Sequence, residues 1–277
     1  MDLYLQSCIK TSKVFTNRYS TSFSRGIRML GRKYRDPVYA VYGFVRIADE
    51  IVDTFHDQDK KELLEGYIRE TYDSIERGLG TNPVLHSFQW AVNEYGIEKE
   101  LIQAFFDSML MDLEPSRHDN NSYEQYIFGS AEVVGLMCLR IFYRDEPEKF
   151  QELKKYARKL GEAFQKVNFL RDIEADLSER ERVYFPGLKP EKFTVEVKRE
   201  IEKDIRKSFL DSKQGIKELK KEVRFGVYLA YRYYFTLFKI IRRTDVHTLM
   251  SRRISVSNTR KMALLLGSYI RNGLGLI

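Results

Sequence analysis

The sequence predicts an all-α protein, and three observations carry that prediction. Apolar residues recur at helical spacing from Pro37 onward. No segment gives a convincing strand pattern. Only 6 of the 277 residues are proline, so long stretches are free of helix breakers. The periodicity assigns helices near 37–54, 59–77, 83–94, 98–112, 122–142, 147–177, 195–220, 222–243 and 258–272. The breaks are short and polar: Glu114 to Asn121 around Pro115, Arg144 to Pro147, and Ser178 to Thr194 with Pro186, Gly187 and Pro190. None has the composition of a linker, so residues 1–277 read as a single domain.

Composition bounds the function. With 43% hydrophobic and 31% charged residues the chain is globular rather than disordered. Lys and Arg exceed Asp and Glu by 47 to 40, a net charge of +7 that suits an anionic partner: a diphosphate, a lipid surface or a nucleic acid. No nucleic-acid-binding motif accompanies it. Cys8 and Cys138 lie far apart with no Cys-x-x-Cys spacing, which points to a reducing compartment, no structural zinc and two small buried hydrophobes. Met1 to Thr16 lacks the basic flank and apolar stretch of a signal peptide, and no segment approaches the ~18 uninterrupted apolar residues of a membrane span. A cytoplasmic protein is expected, with peripheral contact to the inner face of the membrane as an option. The pairs Arg242–Arg243 and Arg252–Arg253 read as a solvated face or as a basic surface for anionic lipid.

The first chemistry-bearing element is the helix expected to start at Asp36–Pro37 and to read PVYAVYGFVRIADEIVD. At about 100° per residue, Val38, Val41, Val45, Val52 and Asp49 share one face, with Tyr42, Arg46 and Asp53 along its edge. Glu50 falls opposite and reads as solvated. Carboxylates facing an interior need a partner. Arg46 pairing with Asp49 is one answer; Mg²⁺ held by carboxylates one turn apart, with substrate phosphate oxygens completing its shell, is the other.

The second element lies in the long helix near 147–177, within GEAFQKVNFLRDIEAD. Gln165, Asn168, Asp172 and Asp176 form one stripe, with Leu160, Phe164, Val167, Leu170 and Leu177 opposite. Alone, the stripe reads as a solvated face as readily as a site. Two Asp-x-x-x-Asp pairs on separate helices can instead face each other across a bundle cavity and hold several Mg²⁺ ions, with Arg46 and Arg171 offering fixed charge to a diphosphate.

Five blocks then occur in order: YSTSFSRGI at 19–27, YGFVRIADEIVD at 42–53, YIFGSAEVVGLM at 126–137, FQKVNFLRDIEAD at 164–176 and RVYFPG at 182–187. Through them nearly the whole chain resembles the squalene and phytoene synthase family. The resemblance implies an isoprenoid-synthase helical bundle with a central cavity, working through carbocations formed by metal-assisted loss of diphosphate. It places Asp49, Asp53, Asn168, Asp172 and Asp176 at metal positions. Tyr19, Ser20, Thr21, Ser22, Tyr42, Arg46, Gln165 and Arg171 fall at diphosphate or substrate positions, and Tyr234 and Arg253 at C-terminal substrate contacts. Asp49, Asp53, Asp172, Asp176, Arg46 and Arg171 are the expected catalytic set.

The implied cofactor is Mg²⁺, with Mn²⁺ as an alternative and no nucleotide cofactor. The first expectation is head-to-head joining of two geranylgeranyl diphosphates, through a cyclopropyl diphosphate, to phytoene. Ile27, smaller than an aromatic one turn after Phe23, leaves room for the longer chain. A squalene-type or dehydrosqualene-type enzyme joining two C15 chains is the alternative. A single-substrate terpene cyclase of the same general fold comes next; a non-catalytic relative acting in binding or assembly is the non-enzyme alternative, and it predicts damaged metal positions, whereas all four aspartates stand. Two departures from the family pattern are Tyr19, where many relatives have His, and Glu132, which interrupts a small-residue stretch and needs an unidentified Arg partner. The 18 Phe and 18 Tyr can line a water-excluding cavity, but Trp90 and the run Phe225 to Phe238 read as core packing.

Overall fold

Ser20 ends one helix and begins the next, in a region where the periodicity assigns none. Asp2 Oδ1 accepts from Leu5 N at 2.7 Å and caps α1 (Leu3–Tyr19). Ser20 Oγ then accepts from Phe23 N at 3.1 Å and caps α2 (Thr21–Arg28). The structure is a computed structural model and describes residues 2–113, 118–178, 182–188 and 193–275. Pro115 and Pro190, expected in breaks, lie outside the described residues. No β-sheet forms among those described.

α3 (Arg32–Thr54) begins before the expected Asp36–Pro37 start, so Pro37 sits inside the helix and not at its first position. The added turn is anchored from outside the helix. Gly31 N donates to Glu222 O at 2.7 Å, and buried Tyr34 packs edge-on to Phe142 at 5.6 Å between ring centres. α4 (Lys60–Arg77), α5 (Pro83–Tyr95) and α6 (Lys99–Met111) follow the sequence expectation. Gly78 and Gly96, both at φ 66°, supply the left-handed residues that end α4 and α5.

The expected helix 122–142 is three pieces: α7 (Asn120–Ile127), a π-helical turn Phe128–Glu132, and α8 (Val133–Phe142). By length and hydropathy Asn120–Phe142 passes for a membrane span. Here it packs against α6 and the long helix α9 (Pro147–Arg171) within the bundle. The expected helix 147–177 breaks at Asp172, whose φ of −104° and ψ of 8° separate α9 from α10 (Ile173–Ser178). α11 (Val195–Glu218), α12 (Lys221–Arg243), α13 (Val246–Leu249) and α14 (Asn258–Gly273) complete the chain.

Two apolar clusters flank the centre of the bundle. One joins α3, α5 and α6 through Phe44, Phe88, Phe105 and Phe106, with Phe44 and Phe88 stacked at 3.8 Å. The other joins α9, α11 and α12 through Val167, Leu170, Phe209 and Phe238. Each such side chain contributes roughly 1.5–3 kcal/mol by burial. Most of the Phe225–Phe238 aromatics are core, as expected, while Trp90 is half-buried and meets Tyr95 edge-on.

The π turn depends on small residues. A Cβ on Gly129 would lie 2.2 Å from Ala104 O of α6, and one on Gly161 of α9 would lie 2.5 Å from Ala131 O. Glu132 finds the partner the sequence did not reveal: it pairs with Arg158 of α9, away from the central cavity. Gly129→Ala is expected to cost about 1–3 kcal/mol, because backbone rather than a flexible side chain must yield. Urea denaturation checks this, and a variant as stable as wild type contradicts the described packing.

Candidate active site

Between the two apolar clusters lies a cavity of about 770 Å³. Its polarity follows the order of residues along the helices. On α3 the lining runs from Val38 and Val41 through Tyr42 and Arg46 to Asp49 and Asp53; on α9 it runs from Leu153 and Leu160 to Gln165, Asn168 and Asp172. Each helix therefore presents apolar lining at its first half and carboxylates at its last. Phe23 ties the two sides together, with ring centres 5.8 Å from Tyr42 on α3 and 5.5 Å from Tyr234 on α12. Leu30, Leu139, Phe142 and Leu219 line the apolar end.

Three charge clusters form the polar end. In the first, Arg46 lies 3.9 Å from Asp49 and also pairs with Glu50, while its guanidinium covers the Tyr19 ring at 4.4 Å. Glu50 is thus half-buried and ion-paired, contrary to the solvated position expected of it, because Arg46 one turn earlier bends back over it. Burial raises the Asp49 carboxyl to about 7; Arg46 opposes the rise, and Asp53 and Asp112 add to it. Arg46 Nε is buried with no acceptor among the described residues.

The second cluster was not anticipated. Arg182 donates to Asp53 Oδ1 at 3.0 Å and to the Asp112 carbonyl oxygen, and its Nε lies 3.7 Å from the Asp112 carboxylate. Asp112 also accepts from Tyr126 at 2.6 Å and Tyr184 at 2.9 Å. Burial raises this carboxyl to about 6 despite Arg182 and both hydroxyls. The block RVYFPG marks the segment, but its local spacing gives Arg182 no partner.

In the third cluster Arg171 Nε donates to both Asp172 oxygens, at 2.9 and 3.1 Å, and Arg253 Nε donates to Oδ1 at 2.7 Å. Burial pushes the Asp172 carboxyl up, but the two arginines outweigh it and hold the group below the ordinary carboxylate range. Tyr234 stacks on Phe164 at 4.0 Å, its hydroxyl raised by burial against the opposing pull of Arg171. Gln165 Oε1 accepts from Asn168 at 3.3 Å, which leaves Asn168 Oδ1 buried with no donor among the described residues.

The stripe Gln165, Asn168, Asp172 and Asp176 therefore lines the cavity and is no solvated face. Tyr19, Ser20, Tyr42, Tyr234 and Arg253 line it too. Thr21 and Ser22 do not, because α2 turns Phe23, Gly26 and Ile27 inward at helical spacing. Thr21 is exposed, and its hydroxyl meets Lys261 Nζ at 2.6 Å. Of the basic pairs, Arg242 lies 3.6 Å from Glu202 and Arg253 is bound to Asp172, so neither pair is a wholly free surface.

No three Asp, Glu, His or Cys side chains converge on one cation position among the described residues. The donor set nonetheless fits a hard divalent cation that arrives with an anionic ligand. Asp49 shares one arginine with Glu50 while facing Asp53 and Asp112, and Asn168 Oδ1 is an oxygen lacking a donor.

The family model for squalene/phytoene synthase matches residues 16–260. A presqualene diphosphate synthase from Rhodopseudomonas palustris is 29% identical over 169 residues, covering 60% of this chain and 58% of that protein. Chloroplastic phytoene synthase 1 from Solanum lycopersicum is 25% identical over 282 residues, covering 92% of this chain and 66% of that protein. The chain thus spans less than two thirds of the length of either relative. In fold it is similar to a dehydrosqualene synthase crystallised with a ligand, at a TM-score of 0.83 and 22% identity over 98% of both chains. The three relatives carry three different product names, while the family match runs through all five motif blocks: this chain belongs to the squalene/phytoene synthase family of prenyltransferases.

Proposed function

We propose that this chain joins two geranylgeranyl diphosphates head to head to form phytoene, and that Asp49, Asp53, Asn168, Asp172 and Asp176 act together with Mg²⁺, or Mn²⁺, in doing so. The observation that carries the reading is the cavity's gradient from an arginine- and aspartate-rich end to a long apolar end. It matches a ligand with a diphosphate head and a hydrocarbon tail.

The bound cation would stabilise negative charge accumulating on the departing diphosphate. Arg46, with its unsatisfied buried Nε, and Arg171 donate to that diphosphate as its C–O bond breaks and the electron pair leaves with it. The stacked Phe164 and Tyr234 rings and Phe23 present aromatic faces to the allylic cation and keep water from trapping it. The double bond of the second substrate attacks, and loss of a proton from the carbon that carried the departed diphosphate closes the ring, giving a cyclopropyl diphosphate. Loss of its diphosphate, rearrangement and loss of a proton give a conjugated triene with no reductant consumed.

Chain length is read from the lining at and beyond Ile27. That residue carries no ring, and the cavity continues past it to Leu30, Leu139 and Phe142. The C15 reading is supported by fold similarity to a dehydrosqualene synthase. Incubating purified protein and Mg²⁺ separately with C15 and C20 prenyl diphosphates, with and without NADPH, decides between them. A C40 triene from the C20 substrate without NADPH is expected. A C30 product alone moves the assignment to the C15 branch, and no hydrocarbon from either substrate leaves a binding protein.

A further inference from the structure

Of the 15 large apolar side chains that stand exposed in the described chain, five lie within the 13 residues Met262 to Leu274: Met262, Leu266, Tyr269, Ile270 and Leu274. The first four fall at i, i+4, i+7 and i+8 of α14, so they form one outward stripe. The opposite side of α14 packs on α12, with Ser268 its one buried residue, and Tyr269 at the stripe's edge also meets Phe225 of α12 edge-on at 6.1 Å between ring centres. A contiguous exposed stripe of this kind marks a contact surface.

Charge identifies what the stripe meets. Residues 246–277 contain no Asp or Glu but hold Arg252, Arg253, Arg260, Lys261 and Arg271, five positive charges in a chain whose net charge is +7. Arg253 is bound to Asp172 and Lys261 to Thr21, whereas Arg252, Arg260 and Arg271 are exposed. On α14, Arg260 and Arg271 fall about 80–100° round the axis from Ile270, on the polar flank between the apolar stripe and the face packed on α12. A second copy docked symmetrically on this face would set like charges against each other. A helix with an apolar stripe on one side, only cations on its polar flank and no acidic residue complements an anionic bilayer.

We propose that α14 lies on an anionic lipid surface and holds the polar end of the cavity against it. The first turn of α14 is already at that end. Lys261 touches Thr21, the neighbour of cavity-lining Ser20, and Arg253, shortly before α14, lines the cavity itself. From there the helix extends about 24 Å, enough to lie along a membrane face. If the proposed substrate is right, an apolar chain can then pass between bilayer and cavity without crossing water. The contact itself does not depend on that reading.

Sedimentation of the full chain with vesicles tests it. Binding to vesicles of equal parts phosphatidylglycerol and phosphatidylcholine is expected, falling with added salt, with little binding to phosphatidylcholine alone. Leu266→Asp combined with Ile270→Asp should weaken binding by about tenfold or more. Arg260→Glu combined with Arg271→Glu should do the same, and decides the matter if the first pair fails to fold. Both pairs should retain wild-type turnover of detergent-dispersed substrate. The proposal is overturned by absence of binding to anionic vesicles, by binding that neither pair weakens, or by a dimer in solution that the apolar pair dissociates while vesicles bind nothing. Vesicle binding by a chain that makes no hydrocarbon upholds this contact and overturns the proposed reaction.

Discussion

Replacing Asp49 by Asn is expected to lower turnover by about 10²–10³-fold and, in the ligand-free protein, to raise stability above neutral pH. The two effects share one cause. Burial, with Asp53 and Asp112 nearby, lifts the Asp49 carboxyl from its ordinary 3.8 to about 7 even though Arg46 opposes the shift. Between those values the folded chain holds a proton that the unfolded chain releases, so the stability this group confers is complete below about pH 4 and is lost as pH rises through 7. Asn cannot ionise. The variant should therefore melt above wild type at pH 8, with the gap closing toward pH 4. Melting followed by circular dichroism at several pH values, together with turnover, checks both halves. Wild-type turnover, or a lower melting temperature at pH 8, contradicts the account. Asp172→Asn should lower turnover by a similar factor with helicity intact, but with no such gain, since Arg171 and Arg253 already hold that carboxyl below the ordinary range.

Arg182→Met should cost about 3–5 kcal/mol at pH 8, because it leaves a buried carboxylate without its counter-charge. The Asp112 side chain is 4% exposed and faces Asp53; Arg182 bridges the two. The loss should shrink as pH falls from 8 to 5. Burial already raises Asp112 to about 6 with Arg182 present, and removing the arginine lifts it further, so the folded variant takes up a proton and sheds the charge. Urea denaturation across that range tests this. A deficit independent of pH assigns the loss to packing of the arginine stem instead.

Helices α4, α5, α6, α11 and α12 were legible because each carries a strong apolar period between polar breaks. α1 and α2 were not. α1 distributes Lys, Ser and Thr among its apolar residues, so its inward stripe of Leu5, Cys8, Ile9, Ser12 and Thr16 is partly polar. Pro37 reads as a start because a proline fits a first turn, and nothing local reveals that Gly31 and Tyr34 are held by α12 and α8. The π turn likewise depends on close approach of α6 and α9 at Gly129 and Gly161, which no single-helix pattern encodes.

The candidate site divides the same way. Asp49 and Asp53, and Asn168, Asp172 and Asp176, announce themselves through i, i+3 and i+4 spacing on one helix face. Asp112 and Arg182 meet across 70 residues of chain and belong to no local repeat, so their pairing exists only in the fold. A buried acid at the end of α6 and an arginine opening RVYFPG were both visible in the sequence; neither specified the other. Which face of α9 turns inward is also undecidable from α9 alone: Leu160 and Phe164, expected opposite the polar stripe, line the cavity together with Gln165, Asn168 and Asp172, while Val167 and Leu170 pack into the cluster with α11.

Diffraction from crystals grown with Mn²⁺ and the thio analogue of geranylgeranyl diphosphate, in which sulfur replaces the bridging oxygen, tests the central claim most directly. The account predicts anomalous peaks between Asp49 and Asp53 on one side and Asn168, Asp172 and Asp176 on the other. The diphosphate should lie against Arg46 and Arg171, with the hydrocarbon running past Ile27 toward Leu139 and Phe142. A diphosphate bound elsewhere, or a site that takes the ligand without metal at those carboxylates, contradicts it.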